Sequence, residues 1–251
     1  MSAIVFDNVD VSYYVRSAKV SGRTNEQLVG GSMVQRRGFL QIRALREITA
    51  EIRQGERIGL IGTNGSGKST FLKTCSRGLI PEAGSLTING QVSAQLALGA
   101  SIKAPLTGRQ NVELKCLYLG ISLRRIKERV AEAKEISGLG DYFELPVQTY
   151  STGMRTRLAM SFMTLLTGEI VIMDEWIGAA DSTVNDAANY LRSRILNSAS
   201  TLIIASHSSA VLRQWTERVI WLHKGRIEDD GPLDEVMARY HRFIREQTNQ
   251  A

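Results

Sequence analysis

Apolar and polar residues alternate along AIVFDNVDVSYYV, residues 3–15, with the two-residue period of a strand that buries one face. The run ALREITAEIRQGERIGLIG, residues 44–62, predicts two further short strands separated at Gly55. Between them, residues 16–40 are rich in Gly, Ser and Arg and keep no period, so they read as an insertion, part loop and part short helix. A strand ending in Leu60 and Ile61 comes next. It is followed by a glycine-rich turn and a helix from about Lys68 to Arg77, with Gly78 at the expected C-cap.

The pattern then changes to the helical period. Asn111 to Leu119 predicts one helix that ends at Gly120. Ser122 is placed to cap the next, whose apolar residues Leu123, Ile126, Val130 and Ala133 recur at three- and four-residue spacing. Leu158, Phe162 and Leu165 repeat that spacing after Tyr150. Beyond them strands and helices alternate: EIVIMD, a helix with Val184, Ala187, Leu191 and Ile195, the strand TLIIAS, another helix, and VIWL. Such alternation predicts an α/β fold, a parallel sheet wrapped by helices and interrupted by a helical insertion. From Pro232 to Ala251 the chain reads as one amphipathic helix, with Leu233, Val236, Met237, Tyr240 and Ile244 on a face.

Composition narrows the classes. Of 251 residues, 43% are hydrophobic and 22% charged, which excludes wholesale disorder. The net charge of +6 points to a polyanion, whether nucleotide, nucleic acid or an anionic membrane face, without choosing among them. The longest apolar run, Leu158 to Leu166, falls short of the ~18–20 residues a membrane span needs. No basic start followed by a long apolar block opens the chain, so the expectation is a cytosolic protein unless a partner holds it at a membrane. Cys75 and Cys116 belong to no CxxC or Cys/His cluster and read as buried reduced thiols.

The chemistry concentrates at three strand ends. Residues 62–70, GTNGSGKST, match GxxxxGK[ST]. In such a loop Gly62, Thr63, Asn64, Gly65, Ser66 and Gly67 turn backbone N–H groups around phosphate oxygens, and Lys68 reaches the β and γ phosphates. Ser69 and Thr70 open the following helix, whose positive end faces the anion, and the Ser69 hydroxyl joins Mg²⁺. The chain is therefore expected to bind a nucleoside triphosphate. The strand IVIMDEW ends in Asp174 and Glu175; Asp174 is the natural second Mg²⁺ ligand, and Glu175 can take the proton of an attacking water. TLIIAS is followed by His207, at the sheet edge where ligands of open α/β folds bind.

Tyr150-Ser151-Thr152-Gly153-Met154, continuing RTRLAMSF before the strand of Asp174, resembles the signature motif of ABC-type ATPases. The common form is LSGGQ; here Tyr replaces Leu, Thr the first Gly and Met the Gln. This variant, with LTGRQN at 106–111 and DEWIGAAD at 174–181, is similar to the branch that energises export of bacterial surface polysaccharides: O-antigen, capsule and teichoic acid. The resemblance spans about residues 3–230. It implies a P-loop NTPase of ABC type, with an antiparallel N-terminal β part, a mostly parallel sheet flanked by helices and a helical insertion. It also implies a single domain over 1–251, in which 15–40 is inserted, 100–165 is the helical subdomain and 232–251 the C-terminal helix. Asp181 falls where the D-loop ends. The Q-loop position aligns with Ala97, and Gln95 two residues away is the candidate glutamine. Tyr13, with Tyr14 as the alternative, fits the aromatic that stacks on adenine.

The implied activity is hydrolysis of ATP with Mg²⁺, in which His207 contacts the γ phosphate. One P-loop and one signature imply a homodimer, in which Ser151 and Gly153 complete the ATP site of the opposite subunit. The dimer would dock beneath two copies of a multi-span membrane permease at the cytoplasmic face of the inner membrane, with 95–145 receiving it. The cargo would be a lipid-linked polysaccharide. No carbohydrate-binding domain is expected after the last helix, and no nucleic acid is an expected partner. The insertion, with Arg16, Arg23, Arg36 and Arg37, reads either as a surface against lipid or permease or as a solvated basic loop. Two rival readings stand beside this one: an ABC ATPase for a lipid, drug or ion, and a soluble ABC-fold protein acting on nucleic acid or ribosomes.

Overall fold

The computed structural model describes residues 1–16, 32–36, 39–96, 101–174, 193 and 201–248. The chain opens with β1 (Ser2–Arg16), β2 (Ser32–Arg36), β3 (Phe39–Arg53) and β4 (Arg57–Ile61), then α1 (Lys68–Cys75), β5 (Ala83–Ile88) and β6 (Val92–Gln95). The helical part holds α2 (Gly108–Tyr118), α3 (Leu123–Ser137) and α4 (Thr152–Ser161), the last tightening into a 3₁₀ turn at Phe162–Leu165. β7 (Ile170–Asp174), β8 (Thr201–Ala205), α5 (Ser209–Trp215), β9 (Arg218–His223), β10 (Arg226–Pro232) and α6 (Leu233–Thr248) complete it.

Two sheets result. The first is antiparallel, in the order β2-β3-β1-β5; the second runs β10-β9-β4-β8-β7-β6, with every pairing parallel except β10 on β9. The central parallel strands β7 and β8 are almost wholly apolar because both faces are covered, whereas the edge strand β6 is VSAQ. Ile170 and Ile172 of β7 face the core shared with β1, β3 and α1, whereas Val171 and Met173 face the core under α5 and α6. A third core holds the helical part together around Phe143, Tyr150, Leu158 and Phe162.

Several expectations change here. The segment 16–40, read as loop with a short helix, contributes β2, which pairs with β3 from Ser32–Arg43 to Arg36–Phe39. Accordingly β3 is no short strand beginning near Ala44; it starts at Phe39 and runs 15 residues. Backbone hydrogen bonds drive that pairing, and they leave no hydrophobic period to read. Strands β5, β6 and β10 carried no clear pattern either; β10 alternates half-buried and exposed residues along the sheet edge. The helix with Val184, Ala187, Leu191 and Ile195 lies outside the described residues.

Helix ends also differ. α1 stops at Cys75, and the left-handed residue is Arg77 (φ +60°), not Gly78. The Arg77 N–H donates to Thr74 O and the Gly78 N–H to Lys73 O, closing a Schellman turn. Arg77 is held there by its guanidinium, which donates to Ile88 O at 2.8 Å. α2 begins at Gly108 rather than Asn111 because Thr107 and Gln110 form a reciprocal capping box, at 3.0 and 3.1 Å. Ser122 does occupy the N-cap of α3, but its side chain makes no capping bond.

The stretch LTGRQN owes its composition to packing. Asn111 is buried and donates to the carbonyls of Lys103, Leu106 and Thr107 while accepting from the Lys103 N–H. Gly108 leaves room for the buried Tyr150, whose Oη donates to Tyr142 O at 2.6 Å. A Cβ at Gly108 would lie 2.7 Å from that Oη and 2.9 Å from Phe143 O. Tyr150 therefore fits where other signatures carry leucine because a glycine faces it. Both cysteines are fully buried free thiols, and burial pushes their pKa values up. No described helix is long and apolar enough to cross a membrane.

Two stability predictions follow from this packing. Phe71 stacks on Phe6 with ring centroids 4.7 Å apart, both rings buried between the sheets, so Phe71→Ala is expected to cost about 3–5 kcal/mol in urea unfolding. Gly108→Ala should cost about 1–3 kcal/mol by overpacking, and Tyr150→Phe about 0.5–1.5 kcal/mol for a lost hydrogen bond. Because Phe removes the atom that the new methyl would strike, the double variant should lose less than the sum of the two.

Candidate functional site

The loop between β4 and α1 is shaped by glycines in the left-handed half of backbone space. Gly62, Gly65 and Gly67 have φ of +148°, +76° and +109°. Space forbids a side chain as well as torsion does: a Cβ at Gly67 would lie 2.8 Å from Ala44 O, and one at Gly62 would lie 2.3 Å from Leu222 O. Ala44 is the extra residue of a bulge in β3, where the register passes from Val11–Leu45 to Ser12–Arg43.

A turn that the sequence reading passed over braces the loop from outside. Lys224 and Gly225, at φ +48° and +78°, join β9 to β10 in a tight hairpin of the kind a Gly at the second position favours. The Gly225 N–H donates to Ser66 O at 2.9 Å, and Gly225 O accepts from the Arg46 N–H at 2.7 Å. The Arg46 guanidinium adds two bonds to Lys224 O, at 2.9 and 3.2 Å. The signal was present as a Lys-Gly pair between VIWLH and RIEDD.

In front of the loop lies a cleft of about 260 Å³, lined by Tyr13, Ile42, Ala44, Asn64, Gly65, Gly67, Lys68, Ser69, Thr70, Asp174 and His207. The Lys68 ammonium donates to Gly62 O at 2.7 Å and Thr63 O at 3.1 Å, so it sits folded over the loop's own carbonyls. Ser66 is buried within the loop, where its N–H donates to Thr63 O at 3.1 Å. Asp174 ends β7, and His207 follows β8 by two residues and is exposed. These are the C-terminal ends of adjacent parallel strands, the edge at which α/β sheets bind ligands. Ser69 and Asp174 offer hard oxygen donors within the same cleft, the donor type that suits Mg²⁺, and the glycines at 65 and 67 leave the loop backbone accessible to a phosphate chain.

Tyr13 and Tyr14, left open by the sequence, point to opposite faces of β1. Tyr13 lines the cleft, its Oη 3.3 Å from Thr70 Oγ1, whereas the Tyr14 hydroxyl donates to Glu82 on the far side. Gln95 is buried at the end of β6, across from Met173 and so one residue from the level of Asp174. Ile42 and Ala44 were not singled out by the sequence, because an apolar residue in a strand announces only a buried face. Ala97, Glu175 and Asp181 lie outside the described residues.

Ser151 caps α4, its Oγ accepting from the Met154 N–H at 3.2 Å, and both Ser151 and Gly153 are exposed. A Cβ at Gly153 would meet only Ser151 Oγ, at 4.0 Å. The signature turn is thus a helix N-terminus open to the outside, and among the described residues none of it lines the cleft.

Comparison with known proteins agrees with this geometry. The family model described as ABC transporter matches residues 45–178. The teichoic acids export ATP-binding protein TagH of Lactococcus lactis is 35% identical over 228 residues, covering 91% of this chain and 48% of that protein. Its namesake in Listeria innocua is 31% identical over 242 residues, covering 96% and 70%. The chain thus spans about half of the first relative's length and more of the second's. Among solved structures, the dimeric post-hydrolysis cassette MJ0796 bound to ADP and Pi superposes with a TM-score of 0.69 at 21% identity, covering 92% of this chain and 98% of that one. A glycine-shaped loop over a cleft, an outward-facing signature turn and these matches together make the chain a member of the ABC transporter family.

Proposed function

We propose that the chain is the ATPase subunit of a bacterial exporter that moves a lipid-linked polysaccharide, of the teichoic acid, O-antigen or capsular class, across the cytoplasmic membrane. The observation that carries the reading is the convergence of Tyr13, the 62–70 loop, Asp174 and His207 on one cleft, with the signature turn facing away from it. The relatives named as teichoic acids export ATP-binding proteins support the cargo class.

In this reading the loop N–H groups and Lys68 hold the β and γ phosphates. Lys68 leaves the carbonyls of Gly62 and Thr63 for the phosphate oxygens, exchanging neutral acceptors for charged ones. Ser69 and Asp174 hold Mg²⁺, which when bound neutralises phosphate charge. Glu175 takes the proton of the attacking water and His207 contacts the γ phosphate, while Gln95 takes the Q-loop role and Asp181 the D-loop role. Tyr13 receives the adenine.

Ser151 and Gly153 aim the N-terminal end of α4 at the triphosphate held by a second copy of the chain, so that nucleotide joins the two subunits and hydrolysis releases them. The dimer acts beneath two copies of a multi-span permease at the cytoplasmic face, and the permease reads the glycolipid.

Lys68→Ala is expected to lower phosphate release from ATP at least about 100-fold. Glu175→Gln should convert the chain to an ATP-stable dimer in size-exclusion chromatography; a monomer fraction unchanged by ATP would refute the paired-site mechanism. Copurification from membranes should bring down a multi-span permease with glycolipid attached, and a drug, ion or simple lipid in its place would overturn the cargo.

A further inference from the structure

The phosphate loop lies along the end of β9. Ile61, the last residue of β4, registers with Trp221, and there the pairing of the two strands ends. One residue on, a Cβ at Gly62 would lie 2.3 Å from Leu222 O, and at the turn the Gly225 N–H donates to Ser66 O at 2.9 Å. Beyond Trp221 the described ladder joins β9 to β10 alone, through Leu222–Ile227 and His223–Arg226. The stretch that shapes the loop is thus the one where sheet pairing on the loop's side has run out.

Helix α6 supports that stretch from the other face. Alternation along β9 sets Trp221 in the core under α6 and Leu222 in the core shared with β1, β3 and α1. Trp221, 5% exposed, meets Tyr240 and Phe243 edge-on, with ring centroids 5.4 and 5.0 Å away, and His223 meets Phe243 in the same way at 5.0 Å. One ring of α6 therefore spans the two residues that flank Leu222. The covered Trp221 Nε1 and His223 Nδ1 have no hydrogen-bond partner among the described residues. Water would pair them, so their desolvation opposes docking of the helix, and ring packing holds it in place.

We propose that Phe243 is a positioning residue for the phosphate loop: it clamps Trp221 and His223, and through them keeps Leu222 and Gly225 against Gly62 and Ser66. The inference rests on the reading of residues 62–70 as the phosphate seat. Phe243 is not among the described lining of the cleft. It acts through close-packed main chain, in which a shift of one segment displaces the next. Donors that are fixed in advance hold an anion best, so a loosened loop loses grip on phosphate whether or not a base and sugar are attached.

The test compares the full chain with Phe243→Ala, with Phe243→Tyr, which keeps the ring, and with Arg242→Ala, an exposed neighbour on α6. Calorimetric titration with Mg²⁺ uses ATP and tripolyphosphate, which lacks base and sugar. Hydrogen exchange follows the amide of Gly225 and, as reference, that of Ile203 in the central strand β8. Phe243→Ala is expected to weaken both probes alike, about three- to tenfold, and to speed exchange at Gly225 at least about tenfold more than at Ile203. Phe243→Tyr and Arg242→Ala should stay within about twofold of the unaltered chain in both measurements. Unchanged affinity or unchanged Gly225 exchange in Phe243→Ala overturns the proposal. So does a loss confined to ATP, an equal acceleration at Gly225 and Ile203, which would mean a chain weakened as a whole, or an equal loss in either of the other variants. If the unaltered chain binds neither probe, the phosphate reading itself fails and the proposal falls with it.

Discussion

Three backbone segments meet at the carbonyl of Ala44, and that meeting leaves no room for side chains on the loops around it. A Cβ would approach this oxygen to 2.8 Å from Gly67 and to 2.6 Å from Gly225. The phosphate loop is therefore wedged between a bulged strand of one sheet and a hairpin turn of the other. Its shape is set by main-chain contact rather than by side chains that could change rotamer. Donors fixed in this way need no reorganisation when an anion arrives, which is the condition under which electrostatic stabilisation is largest. The bulge at Ala44, the turn at Lys224 and the bonds of Arg46 serve that one constraint from three places in the chain.

The signature turn is held by an independent set of contacts. Tyr150 reaches Tyr142 O across the face of Gly108, and Asn111 ties the loop before α2 to the helix itself. Neither network uses a residue of the cleft. The exposed N-terminal end of α4 is therefore positioned by contacts of the helical part itself. The far end of α4 is tied in differently: Met160 and Met163 share a core with Ile61 of β4 and Met173 of β7, so the two sites are joined through packing at the helix's C-terminal end rather than at its exposed N-terminus.

What the sequence made legible follows the same physics. The parallel strands β4, β7, β8 and β9 announced themselves because both faces are buried, and the phosphate loop because backbone torsion demands glycine at fixed spacing. The capping box at Thr107 and Gln110 moved the start of α2 to Gly108, since side-chain bonding extends a helix beyond its apolar pattern. β2 and β10 were missed because edge strands are specified by hydrogen bonds between main chains, to which side-chain type contributes little. Arg77 in a left-handed cap, where Gly78 was expected, is compensated by a guanidinium bond to Ile88, a contact across sequence that no local pattern encodes. Tyr13 and Tyr14 are indistinguishable as letters; only the face of β1 that meets Thr70 separates them.

Net charge was the least informative signal, because it does not say where the cations lie, and several arginines are held by carboxylates away from the cleft. Arg43, Arg109, Arg218, Arg226 and Arg239 are all engaged, with Asp10, Glu144, Asp230 and Glu56, Glu47, and Asp229 respectively. Their partners hold the Glu47 and Glu144 carboxyls below the usual carboxylate range, chiefly through the hydrogen bonds from Arg226 and Arg109. Such largely exposed pairs add little stability, and because each cancels one charge of either sign they leave the net surplus unchanged while fixing where these arginines point. Among the described lining of the cleft, Lys68 is the one Lys or Arg, and Asp174 opposes it. Recognition of a highly charged ligand there rests on oriented N–H groups and a single ammonium, so the basic composition and the anion site are separate properties of the chain.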